Sequence, residues 1–179
     1  RKRLEGRLRT PGGKVEHQDS LGNQGVIGPG DLQWMTAGSG IIHQEMPQRT
    51  DGMLAGFQLW VNLPARQKMM APRYRDIKAS DPPVVTLEGG ISVKVIAGEI
   101  GRTKGPVRDI VVEPQYLDVT VPAKKSFEHL IKTGHTAFAY VIEGEGRFAP
   151  DAKEVVGPEH VQLFGNGDRV DIRSGAMPL

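Results

Sequence analysis

Cysteine is absent from all 179 residues, which excludes both a disulfide framework and thiolate metal ligands. Side-chain metal binding would therefore have to use imidazole and carboxylate, and the chain holds five histidines. No apolar run approaches the roughly 18 residues that a bilayer-spanning helix needs. The start also lacks the apolar core of a signal peptide, so no membrane association is expected. Charge of one sign is missing too. The 23 basic and 21 acidic residues leave a net charge of +2, and outside a terminal cluster of Arg1, Lys2, Arg3, Arg7 and Arg9 the positive residues are scattered, so no nucleic-acid partner is expected. The absence of cysteine allows a reducing compartment, and a cytoplasmic location is expected, with the nucleus as the alternative for a eukaryotic chain. The first residue is not Met, and Ala176, Met177, Pro178 and Leu179 read as the opening of a strand. The chain is therefore expected to be a piece of something longer.

What the chain has in quantity is punctuation. Its 23 Gly and 13 Pro separate short runs rich in Val, Ile, Leu and aromatic residues, the pattern of many strands joined by turns. Residues 15–19 alternate apolar and polar side chains, residues 32–36 have strong β-forming content, and residues 57–63 alternate again. Residues 37–40, Ala-Gly-Ser-Gly, allow a sharp backbone bend ahead of His43. The proline-containing stretch 68–83 reads as a connector, and strands are expected to resume at 93–97, 110–114, 116–121 and 138–143. These signals predict an all-β protein with one domain over residues 1–80 and a second over 91–179.

Within this pattern His43 and Glu45 stand out. Side chains two apart on a strand point to one face, so an imidazole and a carboxylate could reach one metal ion. A non-haem iron site usually needs two His and one Asp or Glu with open positions for substrate and O₂. The pair is thus a partial set, and a surface ion pair is the alternative.

The surrounding residues carry a family resemblance. From Gly28 the chain reads Gly-Pro-Gly-Asp-Leu-Gln-Trp-Met-Thr-Ala-Gly-Ser-Gly-Ile-Ile-His-Gln-Glu-Met-Pro, followed at Gly56 by Gly-Phe-Gln-Leu-Trp-Val-Asn-Leu-Pro. Together these resemble the pirin family, a branch of the cupin superfamily. The resemblance implies two tandem cupin (double-stranded β-helix, jelly-roll) barrels, the N-terminal one truncated here. It also implies one Fe(II) held by three His and one Glu, of which the last His and the Glu transfer to His43 and Glu45. The other two ligands belong to a His-Pro-His segment that would fall upstream of Arg1, so this chain is expected to hold metal only loosely. His17 lies outside the family's ligand pattern.

Leu4-Glu5-Gly6 resembles Ile142-Glu143-Gly144, and Gly28 to Asp31 has a looser echo in Gly165 to Asp168, which suggests two related β-units. In the second unit the register of the missing ligands falls on Leu130 and Lys132, neither suited to iron. A metal-free second barrel is expected, with His129, His135 and His160 in surface or structural roles. The activity implied by resemblance is that of quercetin 2,3-dioxygenase, with a flavonoid-like substrate and O₂ as partners. Glu45 would then be the catalytic residue, both ligand and proton acceptor, and Gln33, Trp34, Met35 and Thr36 would wall the pocket or support it. The alternative is an iron-dependent redox-sensing module that binds a protein partner as a transcriptional or metabolic co-regulator.

Overall fold

The structure, a computed structural model, describes residues 2–6, 13–49 and 54–179, the first stretch by its backbone alone. The chain is almost entirely β, with the cupin fold. Its described strands begin with β1 (Lys2–Gly6), β2 (Val15–Asp19), β3 (Gln24–Ile27), β4 (Leu32–Thr36), β5 (His43–Pro47), β6 (Phe57–Val61) and β7 (Arg73–Ile77). Next come β8 (Val84–Thr86), β9 (Ser92–Ala97), β10 (Glu99–Ile100), β11 (Thr103–Lys104) and β12 (Tyr116–Thr120). The last are β13 (Ser126–Leu130), β14 (Phe138–Tyr140), β15 (Gly146–Arg147), β16 (Val161–Leu163) and β17 (Arg169–Ser174). Among the described residues the helices are single 3₁₀ turns, and none is long and apolar enough to cross a membrane.

Two compact units emerge. One comprises Arg1–Pro83 with Val95–Tyr116, the other Val84–Lys94 with Leu117–Leu179. The division falls inside β9, so the segment after Val95, which turn punctuation grouped with the C-terminal half, packs with the first unit.

The first unit contains an antiparallel sheet in the order β6-β1-β4-β7 and a second in the order β3-β2-β5. Strand β4, Leu-Gln-Trp-Met-Thr, is buried at every position and has a different chemistry on each side. Leu32 and Trp34 enter an apolar cluster with Ile77, Ile96, Ala97 and Val107, joined by the partly buried Leu59 and Val61. Burying each large side chain contributes about 1.5–3 kcal/mol relative to exposure. Gln33 and Met35 face the other way, in register with Asp76 and Tyr74 of β7, and this second face bears the candidate site.

Two sequence expectations change. Residues 73–77, read as connector, form β7 in the main sheet. Pro72 is tolerated because it precedes the first strand residue and β7 is an edge strand, where a missing N–H costs no interior ladder bond. Residues 110–114, read as a strand, turn instead, with Glu113 in a left-handed conformation (φ 45°) and its N–H bonded to the Ile110 carbonyl at 3.1 Å. The bend before β5 is present. Gly38 has φ 53°, and any Cβ there would collide with the Met70 carbonyl, which accepts a bond from the Ser39 N–H at 2.9 Å.

The second unit pairs β13 with β17 and β17 with β15, and pairs β14 with β16. Its apolar interior includes Val121, Phe127, Val141, Phe148, Val170 and Ile172.

Candidate metal centre

Strands β2 and β5 run antiparallel in a register that opposes His17 to Glu45 and Asp19 to His43. Each strand thus carries the pattern His-x-acid. Because the two run in opposite directions, every imidazole faces a carboxylate across the ladder, and all four side chains share one face.

The His43 Nδ1 and Glu45 Oε1 atoms lie 3.4 Å apart, with side chains 14% and 22% exposed. His17 lies deeper, its side chain fully enclosed. Its ring stacks on Tyr74 with centroids 4.9 Å apart and planes 10° from parallel, and sits 5.5 Å from the His43 ring. One donor atom from each of His17, His43 and Glu45 lies within 4.8 Å of the other two. Two donors held about 2.1 Å from one octahedral ion stand about 3 Å apart when cis and about 4.2 Å when trans. The cluster has the right scale for one first-row divalent ion, and imidazole with carboxylate donors suits ions such as iron, nickel or zinc. A further observation supports that fit: neither ring nitrogen of His17 has a hydrogen-bond partner among the described residues. Leaving such a group unsatisfied costs about 1–3 kcal/mol, a cost that a bound cation would offset.

Asp19, though on the same face, is committed elsewhere. Its carboxylate accepts bonds from the Leu21 N–H (2.9 Å), the Asn23 N–H (3.0 Å) and the Asn23 side-chain amide (2.8 Å), closing the turn between β2 and β3. Burial opposes ionisation, but these bonds and the nearby His17 outweigh it and hold the carboxyl below its usual range. Asp19 remains 3.6 Å from His17 Nε2, placed to orient the ring.

Behind His17 lies a polar layer. The Gln33 amide donates to the Tyr74 hydroxyl at 2.9 Å, and that hydroxyl donates to Asp76 Oδ1 at 2.5 Å. Burial, followed by the bond to Asp76, raises the phenol far above its usual range, so Tyr74 stays neutral. Gly25 opposes His17 on β3, and a Cβ there would stand 3.1 Å from Asp76 Oδ2. The missing side chain lets Asp76 reach this layer.

Of the side chains singled out from sequence, His43 and Glu45 lie together, and Gln33 connects to them through Tyr74 and His17. Trp34 belongs to the apolar cluster on the far side of β4, and Thr36 shares its side by alternation. Met35 is buried on the site side. Sequence reasoning set His17 outside the ligand pattern and Tyr74 in a connector, and the structure brings both rings to this face. The His-x-Asp of β2 mirrors the His-x-Glu of β5, and that mirrored spacing was the available signal for His17. In the second unit, His129 stacks on Phe127 and burial lowers its pKa. His135 is exposed, and His160 Nδ1 approaches the Pro158 carbonyl at 2.7 Å.

Comparison with known proteins follows the same lines. A family model described as Pirin matches residues 11–61. A pirin-like protein of Caulobacter vibrioides is 43% identical over 164 residues, covering 90% of this chain and 58% of that protein. This chain thus spans little more than half the length of that relative. A crystal structure of a Geobacillus kaustophilus protein aligns with a TM-score of 0.82 at 30% identity, covering 99% of this chain and 71% of that one. A quercetin 2,3-dioxygenase from Acinetobacter baumannii aligns with a TM-score of 0.80 at 27% identity, covering 99% of this chain and 62% of that one. On this identity, shared fold and matched segment around the β2–β5 ladder, the chain belongs to the pirin family.

Proposed function

We propose that the chain carries the metal-binding part of a non-haem iron oxidoreductase of the quercetin 2,3-dioxygenase type, with His43 and Glu45 as ligands to Fe(II). The observation that carries this reading is the 3.4 Å approach of His43 Nδ1 to Glu45 Oε1 on one sheltered strand face. Likeness to a solved quercetin 2,3-dioxygenase supports it. The remaining two imidazoles of the family's site would come from the segment that the resemblance puts ahead of Arg1.

When bound, Fe(II) supplies positions where O₂ and a chelating flavonol meet, and the oxygen chemistry belongs to it. The chain's own residues hold and shape that place. Glu45 is partly open to solvent, so one carboxylate oxygen can come within the roughly 2.6–3.2 Å needed to take the flavonol hydroxyl proton. Glu45 is therefore the proposed catalytic residue. The Gln33–Tyr74–Asp76 layer fixes the floor beneath His17, and neutral Tyr74 adds no competing negative charge there.

A second reading, an iron-dependent redox-sensing module for a protein partner, draws on the outer side of β5. Ile42 is 79% and Met46 42% exposed, and both alternate with His43 and Glu45. A shift of β5 with iron oxidation would move an apolar surface. Oxygen uptake by the Fe(II)-loaded full-length protein separates the readings. Dioxygenase action consumes one O₂ per quercetin and releases carbon monoxide, and Glu45→Gln abolishes it. Stoichiometric iron without quercetin-dependent uptake would favour the sensing module.

A further inference from the structure

We infer that Trp60, steadied by Gln58, is the aromatic platform for the substrate's pendant phenyl ring, and so sets a preference for a flavonol over a smaller chelating hydroxyketone. This rests on the reading of the chain as the metal-binding part of a quercetin 2,3-dioxygenase-type protein, and it names a specificity-determining residue outside the metal centre.

Strand β6 separates its side chains by alternation. Phe57, Leu59 and Val61 are partly buried, and Leu59 and Val61 pack against the apolar cluster on the far side of the sheet. Gln58 and Trp60 therefore point to the opposite face, the one that bears the candidate site. The ladders fix their place on it. Trp60 and Met35 are both in register with Arg3, and Gln58 and Gln33 are both in register with Glu5. Met35 in turn opposes Tyr74, and Gln33 opposes Asp76. Two rows thus cross the sheet from β6 to β7, one of Trp60, Met35 and Tyr74, the other of Gln58, Gln33 and Asp76. At about 4.8 Å per strand, Trp60 stands roughly 10 Å from Met35 and roughly 14 Å from Tyr74. Tyr74 stacks on His17, whose ring lies 5.5 Å from that of His43.

The first row changes character along its length. Met35 is 3% exposed and Trp60 55%, so the row runs from a closed floor to an open rim. The Trp60 indole N–H donates to Gln58 Oε1 at 3.3 Å, which restrains the ring's orientation. A broad aromatic surface at the rim of a site suits a second aromatic ring, and its partner amide suits the hydroxyl groups such a ring carries. A flavonol chelates through its 3-hydroxy-4-keto edge and bears a phenyl ring on the carbon next to the hydroxyl-bearing one. With that edge at the His43 and Glu45 end, the phenyl ring is directed outward, to where Trp60 can stack on it.

The test uses the Fe(II)-loaded full-length protein and two ligands with the same chelating edge, quercetin and 3-hydroxychromone, which lacks the phenyl ring. In calorimetry without O₂, Trp60→Ala is expected to weaken quercetin binding about tenfold and 3-hydroxychromone binding less than about twofold. Trp60→Phe should restore most of the quercetin affinity. In turnover, Trp60→Ala should raise KM for quercetin and leave kcat near wild type, the mark of binding shared by ground and transition states. An equal loss for both ligands would assign Trp60 to the fold and overturn the inference, as would no loss for either. Quercetin turnover by the wild type would leave the dioxygenase reading standing in both cases. Wild-type protein that holds stoichiometric iron yet binds neither ligand would overturn that reading and this inference together.

Discussion

Two antiparallel strand pairs present a buried or half-buried histidine near acids: β2 with β5 in the first unit, and β13 with β17 in the second. In the first pair His17 opposes Glu45 and His43 opposes Asp19, so the polar groups gather on one face. In the second, His129 opposes Val170, and its neighbour on the same face is Phe127, which opposes Ile172. The acids Glu128 and Asp171 oppose each other on the other face, where Arg169 holds Asp171 at 2.9 Å. The His129 ring packs against an aromatic side chain, and desolvation by burial lowers its pKa. Similar residues thus make a potential ion cage in one ladder and ordinary packing in the other. The spacing of acid from histidine along each strand, together with cross-strand register, separates the two.

The sharpest way to break this contrast is to make the first ladder resemble the second. Glu45→Ala or His43→Ala in the full-length protein should lower iron content by more than about tenfold by elemental analysis. Unchanged iron would remove the distinction between the two ladders.

A smaller effect compares the two Gly-x-Gly-Asp turns. Asp31 accepts bonds from the Gly28 N–H (3.1 Å), the Ala79 N–H (2.9 Å) and Lys78 Nζ (3.0 Å), whereas Asp168 is exposed. Asp31→Ala should cost about 2–3 kcal/mol in urea unfolding, and Asp168→Ala less than about 0.5. Burial opposes the Asp31 charge, but the bonds from Lys78, Ala79 and Gly28 prevail and depress its pKa. Its stabilising contribution is therefore complete above the unfolded value of about 3.9 and fades as pH falls through the lower folded value. Asp31→Asn should flatten that acid limb, and a wild-type-like acid limb would show that the turn contributes no linkage.

Next in size, Tyr74→Phe keeps the ring on His17 but leaves the Gln33 amide without its acceptor, at a cost of about 1–2 kcal/mol by thermal unfolding. Gly25→Ala should cost about 1 kcal/mol, because the new methyl crowds Asp76 and Asp76 must give way. If Gly25→Ala proved neutral, close approach at that position would not be what shapes the polar layer.

Much of this was legible in the chain. Alternation predicted β2 and β6, β-forming content predicted β4, and the glycines of 37–40 predicted the bend before β5. His43 and Glu45 could be paired because they lie on one strand, where spacing alone determines the face. His17 could not be joined to them in the same way. Its place depends on how β2 pairs with β5, and register is a long-range property that no local window contains. Tyr74 was lost for a related reason: Pro72 and its neighbours suggested a connector, and only pairing with β4 makes residues 73–77 a strand. The internal repeat was legible as sequence and less so as structure, since Leu4-Glu5-Gly6 lies within a strand while Ile142-Glu143-Gly144 lies outside one.

Strand β5 lies at the margin of the described β3-β2-β5 sheet and supplies two of the three clustered donors, while β2, in the middle, supplies the third. A marginal strand can peel away without disturbing the partner bonds on the far side of β2. The His43–Glu45 pair rides on that border strand, so the shelter of the pair and the seating of the last seam of the sheet are one event.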